Sequence, residues 1–249
     1  MKTVSPQLAP HVCELAEEAG RAILKFFRKG DWSVTAKADD SPVTQADLAS
    51  NKIITEALEK LALAPVISEE NDPHSKRVSD RYWLVDPLDG TKEFIAGRET
   101  FVVSIGLIEN GFPIFGVIHA PVLNETFWAV KGNGAFGPRG RLFNQSQRTA
   151  LIAAGSRSLQ LEELAHLDLP IADVQKIGSA LKFCRLASGD IDLYPRFGPT
   201  GEWDTAAGQI LCEEAGCEVL DLSTGERLRY GKPQFLNSHG FFASRRGLK

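Results

Sequence analysis

The amino-acid sequence predicts a mixed protein, α/β (α+β) in class. Three observations lead there. The first half reads as two amphipathic helices followed by strands, two of which flank Asn110-Gly111, the strongest short hairpin signal. The second half alternates short strands with helices, the texture of an α/β protein. Finally, 249 residues of which 43% are hydrophobic and 24% charged supply enough apolar side chains for a core and exclude disorder as the main state.

The first helix opens at Ser5-Pro6, a cap residue followed by proline at the first helical position. Leu8, Val12, Leu15, Ala19, Ile23 and Phe26 recur at helical spacing, and Gly30 closes the helix. A second helix begins near Thr44-Gln45-Ala46-Asp47, a capping-box variant, with Ile53, Ala57 and Leu61 on its apolar face and Pro65 beyond its end. Strands follow at 66–68, 82–85, 101–108, 112–118 and 126–130, and 132–140 is a glycine-rich turn region. Further on, strands at 151–154, 191–194 and 217–220 alternate with helices at 159–166, 179–187 and 205–215, the last ended by Gly216. A polar, Pro- and Gly-containing stretch at 138–148 divides an N-terminal half, 1–140, from a C-terminal half, 141–249.

Composition narrows the function classes. Net charge is −4 and no basic stripe appears, which argues against nucleic acid as partner. No apolar run approaches the roughly 18 residues of a membrane span, and Glu14, Glu17 and Glu18 interrupt the N-terminal region where a signal-peptide core would lie. The cytoplasm is the expected compartment; a peripheral stay on the cytoplasmic face of the inner membrane is left open. Cys13, Cys184, Cys212 and Cys217 form no zinc spacing and read as free thiols, and the five histidines are isolated. Carboxylates therefore become the place to look for chemistry.

Gly132-Asn133-Gly134-Ala135-Phe136-Gly137 matches a dinucleotide fingerprint literally, but Pro138 and Gly140 make a poor helix and no acid occurs between Gly137 and Glu162. It is read as a glycine turn. Asp86-Pro87-Leu88-Asp89-Gly90-Thr91 is more informative. It follows an apolar strand, and two carboxylates three apart, with the Leu88 carbonyl between them, can converge on one hard cation. Two residues between the aspartates, rather than one, disfavour an aspartyl-phosphate nucleophile. Glu69-Glu70 also follows a short strand, Asp204 stands in Trp203-Asp204-Thr205-Ala206-Ala207-Gly208 at a helix start, and Asp47 lies in the first turn of the second helix.

On Glu69-Glu70, the run at 86–91 and the run at 203–208, the chain resembles the inositol monophosphatase superfamily of lithium-sensitive, magnesium-dependent phosphatases over nearly its whole length. Within it, Asp89-Gly90-Thr91-Lys92-Glu93-Phe94, Gly178-Ser179 with Leu181-Lys182-Phe183-Cys184, and the 193–200 stretch resemble the family of CysQ-type 3′(2′),5′-bisphosphate nucleotidases. Where that pattern often has a histidine after Ser-Arg-Ser, this chain has Leu159 after Ser156-Arg157-Ser158.

The resemblance implies a layered α-β-α-β-α sandwich and hydrolysis of adenosine 3′,5′-bisphosphate to AMP and phosphate. It assigns two or three Mg²⁺ ions to Glu69, Asp86, the Leu88 carbonyl, Asp89 and Asp204, with most ligands in the N-terminal half. Asp47 and Thr91 would orient and deprotonate the attacking water. Glu69, Leu88, Asp89, Gly90, Thr91 and Asp204 would also meet substrate, with Lys182 and Arg196 pairing the second phosphate or the base and Gly178 and Ser179 lining the nucleoside. The partner is then a small phosphorylated nucleotide, and the chain is a monomer or a homodimer. Two alternatives stay open: an inositol or other sugar-phosphate phosphatase, and a non-catalytic nucleotide sensor.

Overall fold

In the computed structural model, residues 7–29, 34–36, 42–71 and 79–248 are described. The chain begins with α1 (Leu8–Leu24), passes through the paired strands β1 (Val34–Ala36) and β2 (Pro42–Thr44), and enters α2 (Gln45–Leu61). There follow β3 (Val66–Ser68), β4 (Arg81–Asp89), the one-turn α3 (Thr91–Ile95), β5 (Val102–Glu109), β6 (Phe112–Ala120), β7 (Glu125–Val130), β8 (Gly134–Gly137) and β9 (Gly140–Leu142). The strands from β3 to β9 form one sheet in sequence order, parallel only between β3 and β4. Asn110 and Gly111 both take positive φ, as the hairpin turn requires.

The second sheet is built from β10 (Leu151–Gly155), β11 (Ile171–Lys176), β12 (Leu193–Arg196), β14 (Cys217–Asp221) and β16 (Phe241–Arg245), in the order β11-β10-β12-β16-β14. The helices α4 (Leu181–Ala187) and α5 (Ala206–Glu214) intervene, and β13 (Thr200–Gly201) pairs with β15 (Leu236–Asn237).

Strand periodicity explains the layering. Val66, Trp83, Val85, Val103, Ile105 and Leu107 point to one side of the first sheet and pack under α1 and α2. The alternate residues Ile67, Tyr82, Leu84, Val102 and Ile108 point to the other side and meet α4 and α5. Those two helices also cover the second sheet through Cys212, Ala215, Val219 and Phe241. Beyond it, the 3₁₀ segment Leu161–Leu167 closes a smaller cluster with Leu151, Ala153 and Leu193. The order is helix, sheet, helix, sheet, helical turn, which agrees with the expected layered sandwich. Each large side chain removed from water here contributes roughly 1.5–3 kcal/mol.

Two glycines seat α5. Gly106 and Gly116 face each other across β5 and β6, and a Cβ on either would come within 2.8 Å or 2.7 Å of Ala206 or Ala207. The helix therefore lies flush on the sheet, which fixes the turn that precedes it.

Several local expectations need correction. α1 stops at Leu24, where Phe27 turns to pack against Phe94 at a tilt and edge-on to Phe101, and Arg28, at positive φ, bonds the Gly97 carbonyl; Ser5, Pro6 and Gly30 lie outside the described residues. The buried face of α2 is Ala46, Asp47, Ser50, Ile54 and Leu58; Ile53 and Ala57 are only partly buried and Leu61 is exposed. The 132–140 region turns at Gly132-Asn133, supplies β8, turns again at Pro138-Arg139 and enters β9, so the meander continues two strands further. Strand β4 does not end before Asp86 but runs to Asp89. Leu161–Leu167 is 3₁₀ rather than α, and α4 starts at Leu181 because Ser179 takes a left-handed φ. The sequence reading has no counterpart to β1, β2, β11, β13, β15 and β16. All four cysteines are free, with Cys184, Cys212 and Cys217 buried.

Candidate active site

Two aspartates three apart on a regular strand point to opposite faces. Strand β4 avoids this with a bulge: Asp86 pairs with Ser104 and Asp89 with Val102, so three steps on β4 match two on β5. The extra residue returns Asp89 to the side of Asp86. The Leu88 N–H donates to Asp86 Oδ1 at 3.0 Å, and the Ala180 N–H donates to Asp89 Oδ2 at 2.5 Å.

Asp204 arrives from the second half, in the turn before α5, two residues ahead of the helix. Its Oδ2 accepts from the Gly201 N–H at 3.0 Å and from the Thr200 hydroxyl. Oxygens of Asp86, Asp89 and Asp204 all lie within 4.8 Å of one another. Glu69, at the end of β3, lines the same cleft and shares a hydrogen bond with Asp86.

The electrostatics are uphill. Burial, then the charges of Glu69, Asp89 and Asp204, push the Asp86 carboxyl well above the ordinary carboxylate range. Burial and Asp204 push Asp89 up to about 8, against the lowering charge of Lys182. Burial and Glu69 push Asp204 up to about 6. Buried like charges of this kind are stable as anions only with added positive charge. The donors are all hard oxygens, which suits a divalent cation such as Mg²⁺ or Ca²⁺ rather than a soft metal.

Asp47 is buried in the first turn of α2, with Thr44 as N-cap, as the sequence indicated. Its Oδ2 accepts from the Thr44 N–H at 2.8 Å and the Thr44 hydroxyl at 2.5 Å. That leaves Oδ1 aimed at Thr91, whose hydroxyl lies 3.2 Å from it and 3.2 Å from the Leu88 carbonyl. Thr91 lines the cleft; Asp47 touches it through Thr91. Ser50, one turn on, donates to the Pro87 carbonyl at 2.7 Å and braces the bulge from behind.

The cleft has a volume of about 730 Å³ and brings Leu88, Gly90, Gly178, Ser179, Lys182 and Arg196 to the same space as the carboxylates. Lys182 is no solvated helix lysine. It is 6% exposed, its ammonium donates to the carbonyls of Ile177 (3.1 Å) and Ser179 (2.7 Å), and it lies over the Tyr194 ring. Burial, opposed by Asp89, lowers it to about 8. Arg196 donates to the Pro199 carbonyl at 3.0 Å, while its Nε is buried without a partner. Leu159, where a histidine was considered, is buried in the small cluster beneath the second sheet and reaches no ligand space.

Sequence reasoning did not single out a second group that lines the same cleft. Glu93 and Arg98 come from α3 and the turn after it, and Arg157 from the loop after β10. The Arg157 Nε and Nη2 donate to the Glu93 carboxylate at 3.1 and 2.9 Å, and Arg98 donates to it at 3.4 Å. The adjacent Lys92-Glu93 and Ser156-Arg157-Ser158 runs were visible, but nothing in the linear order pairs residues 64 apart.

A family model described as "Inositol monophosphatase family" matches residues 6–248. The chain is 43% identical over 236 residues to the 3′(2′),5′-bisphosphate nucleotidase CysQ of Salmonella typhimurium, covering 91% of this chain and 95% of that protein. It is 42% identical over 242 residues to the Escherichia coli K12 protein of the same name, covering 94% and 98%. Among solved structures, CysQ from Bacteroides thetaiotaomicron, described as a bacterial member of the inositol monophosphatase family, superposes with a TM-score of 0.80 at 35% identity, covering 93% of this chain and 94% of that one.

Proposed function

The chain belongs to the inositol monophosphatase family, and from that premise we propose that it is an enzyme of the 3′(2′),5′-bisphosphate nucleotidase type, hydrolysing adenosine 3′,5′-bisphosphate to AMP and phosphate with Mg²⁺. The observation that carries the reading is the convergence of Asp86, Asp89 and Asp204 beside the Asp47–Thr91 pair. The identity to nucleotidases over more than nine-tenths of the chain supports the substrate.

Glu69, Asp86, the Leu88 carbonyl, Asp89 and Asp204 would hold the ions, two or three of them. Bound Mg²⁺ supplies a Lewis acid for the phosphate oxygens and acidifies water. The chain's own contribution is a proton path. Thr91 Oγ1 takes a proton from the attacking water and passes its own to Asp47 Oδ1, whose partner oxygen is pinned by Thr44. Thr44 thus makes Asp47 a fixed acceptor rather than a rotating one. N–H groups of Gly90 and Thr91, in a helix first turn that leaves them without intrahelical partners, face the phosphate to be cleaved. Lys182 spends two of its three protons on carbonyls and keeps one for the substrate. Gly178, Ser179 and Arg196 line the nucleoside side.

No helix among the described residues is long and apolar enough to cross a membrane; a cytoplasmic location is part of this proposal. The test is phosphate release with Mg²⁺ from adenosine 3′,5′-bisphosphate, inositol 1-phosphate and fructose 1,6-bisphosphate. Preference for the adenosine bisphosphate is expected. Preference for the inositol phosphate would overturn the substrate, and no turnover on any of the three would overturn the activity.

A further inference from the structure

The turn that carries Asp204 is held by a second acid. Glu202 is wholly buried, stands two residues before Asp204, and does not line the cleft. Its Oε2 accepts from the Gly231 N–H and its Oε1 from the Lys232 N–H, each at 2.9 Å. Two successive backbone donors thus meet the two oxygens of one carboxylate. Gly231 makes this turn at a φ of +88°, a conformation in which a side chain is strained. Nothing in the cation cluster uses this carboxylate, and burying it is worthwhile only because both oxygens are satisfied.

The backbone of Glu202 is engaged as fully. Its N–H donates to the Phe235 carbonyl at 2.8 Å, and its carbonyl accepts from the N–H groups of Thr205 and Ala206 at 3.2 and 3.1 Å. The Thr205 hydroxyl donates to the same carbonyl at 3.1 Å and accepts from Asn237 Nδ2 at 3.1 Å. Next along the chain, the Trp203 carbonyl accepts from the Ser104 hydroxyl of β5 at 3.2 Å. The turn is therefore tied to the 231–237 segment through Glu202 and to β5 through Trp203, and β5 is the strand that pairs with the bulge carrying Asp86 and Asp89. These ties are made by the chain alone. A carboxylate presented from a turn fixed in this way loses little freedom when it takes up a ligand, and affinity gains accordingly.

We propose that Glu202 is a positioning residue for the cation site: by clamping the N–H pair of Gly231 and Lys232 it fixes the turn that presents Asp204, and so sets the affinity for a hard divalent cation. The inference rests on the reading of Asp86, Asp89 and Asp204 as cation ligands. It adds to that reading a residue outside the cleft, and it gives the 231–232 turn a part in the site.

The experiment titrates Mn²⁺ into wild type, Glu202→Gln, Gly231→Ala, Asp204→Asn and Leu164→Ala, following the free ion by electron paramagnetic resonance well below every melting temperature. Glu202→Gln keeps the size but turns an NH₂ group toward a backbone N–H, so one donor loses its acceptor. Its Mn²⁺ affinity should fall about 10-fold or more, the scale seen when a support behind a metal ligand is removed. Gly231→Ala strains the same clamp from the other side and should weaken binding in the same direction by less. The double variant should lose less than the product of the two single losses, because both break one contact. The Mg²⁺ concentration for half-maximal phosphate release should rise in step, with KM for the nucleotide at saturating Mg²⁺ near the wild-type value. Leu164→Ala opens a cavity in the outermost cluster and should lower the melting temperature without moving Mn²⁺ affinity. Glu202→Gln and Gly231→Ala proteins that melt lower but bind Mn²⁺ as tightly as wild type would overturn the proposal, as would an equal loss of affinity in Leu164→Ala. Should Glu202→Gln fail to fold, Gly231→Ala decides alone. Failure of the underlying reading looks different: wild type that binds no Mn²⁺, or Asp204→Asn that binds it as well as wild type, would overturn the cation site and the proposal with it.

Discussion

The two walls of the cleft solve the burial of charge in opposite ways. On one, Asp86, Asp89 and Asp204 are crowded together beside Lys182, and every one of them is pushed up by burial and like charge. On the other, Glu93 sits between Arg98 and Arg157 and is held down despite burial. The acidic wall is anchored by backbone N–H groups of Leu88, Ala180 and Gly201, rigid donors that fix direction without neutralising charge. The cationic wall is made of long side chains gathered around one carboxylate, Glu93, with positive charge left over. A site readied for a cation is left uncompensated until the cation comes, whereas a carboxylate set among guanidiniums is compensated beforehand.

The contrast can be broken hardest on the acidic side. Asp89→Asn should lower kcat/KM with Mg²⁺ by at least about 10²–10³-fold, the scale of removing one group that stabilises transition-state charge. The same variant stripped of metal should melt no lower than wild type, because a repelling charge is gone and the Ala180 N–H keeps an acceptor. A clear drop in the metal-free melting temperature would mean Asp89 supports the fold rather than a cation.

Thr91→Val removes the hydroxyl that joins Asp47 to the cleft. A fall in kcat of about 10²-fold with little change in KM is expected, as for loss of a proton-transfer group. A rise in KM alone would assign Thr91 to binding instead.

Gly116→Ala tests the scaffold behind one wall only. The new Cβ would meet Ala207 Cα at 2.7 Å, lifting α5 and the turn that carries Asp204. Overpacking of this kind costs about 1–3 kcal/mol, readable as a lower urea midpoint. Activity should fall on all substrates alike.

The smallest effect expected is a pH slope. A carboxyl with a raised folded pKa binds its proton more tightly in the folded state, so its contribution to stability is lost as pH climbs. For the acidic wall that window runs from the ordinary value of 3.8 through about 6 for Asp204 to about 8 for Asp89. Glu93 has the opposite sign: its contribution is lost as pH falls below 4.5. Metal-free protein should therefore melt lower at pH 8 than at pH 6, by about 2–4 °C for each kcal/mol lost. Added Mg²⁺ should raise the melting temperature more at pH 8, and Asp89→Asn should flatten the slope. A metal-free melting curve that rises from pH 6 to pH 8 would contradict the charge crowding.

The acidic wall was legible in the sequence because its residues sit in short linear runs at element ends, where proline, glycine and capping rules speak locally. The cationic wall was not, since Glu93 and Arg157 meet only in the folded chain. Helix α2 shows a subtler failure. Its apolar periodicity pointed to Ile53, Ala57 and Leu61, yet the buried face carries Asp47 and Ser50, polar residues spent on Thr91 and on the Pro87 carbonyl. Function had replaced hydrophobic residues where the pattern looks for them. Three of the strands that escaped notice have causes of their own. β11 is an edge strand with Asp173 and Gln175 exposed or half-buried, and β13 and β15 are two residues each, too short for any period to register.

The last of the described strands lies inside its sheet rather than at an edge: β16 is hydrogen-bonded to β12 on one side and β14 on the other. Until residues 241–245 have been synthesised, β14 has no neighbour in that sheet and Phe241 is missing from beside Phe183 and Tyr194. The seven-stranded sheet depends on no residue after Leu142 for its own pairing. A nascent chain can thus lay down Asp86 and Asp89 early, but α5, and Asp204 with it, gains its full floor only when β16 closes the second sheet. Premature termination a few codons short of β16 would release a protein with an intact set of linear motifs and an unfinished second sheet beneath Asp204.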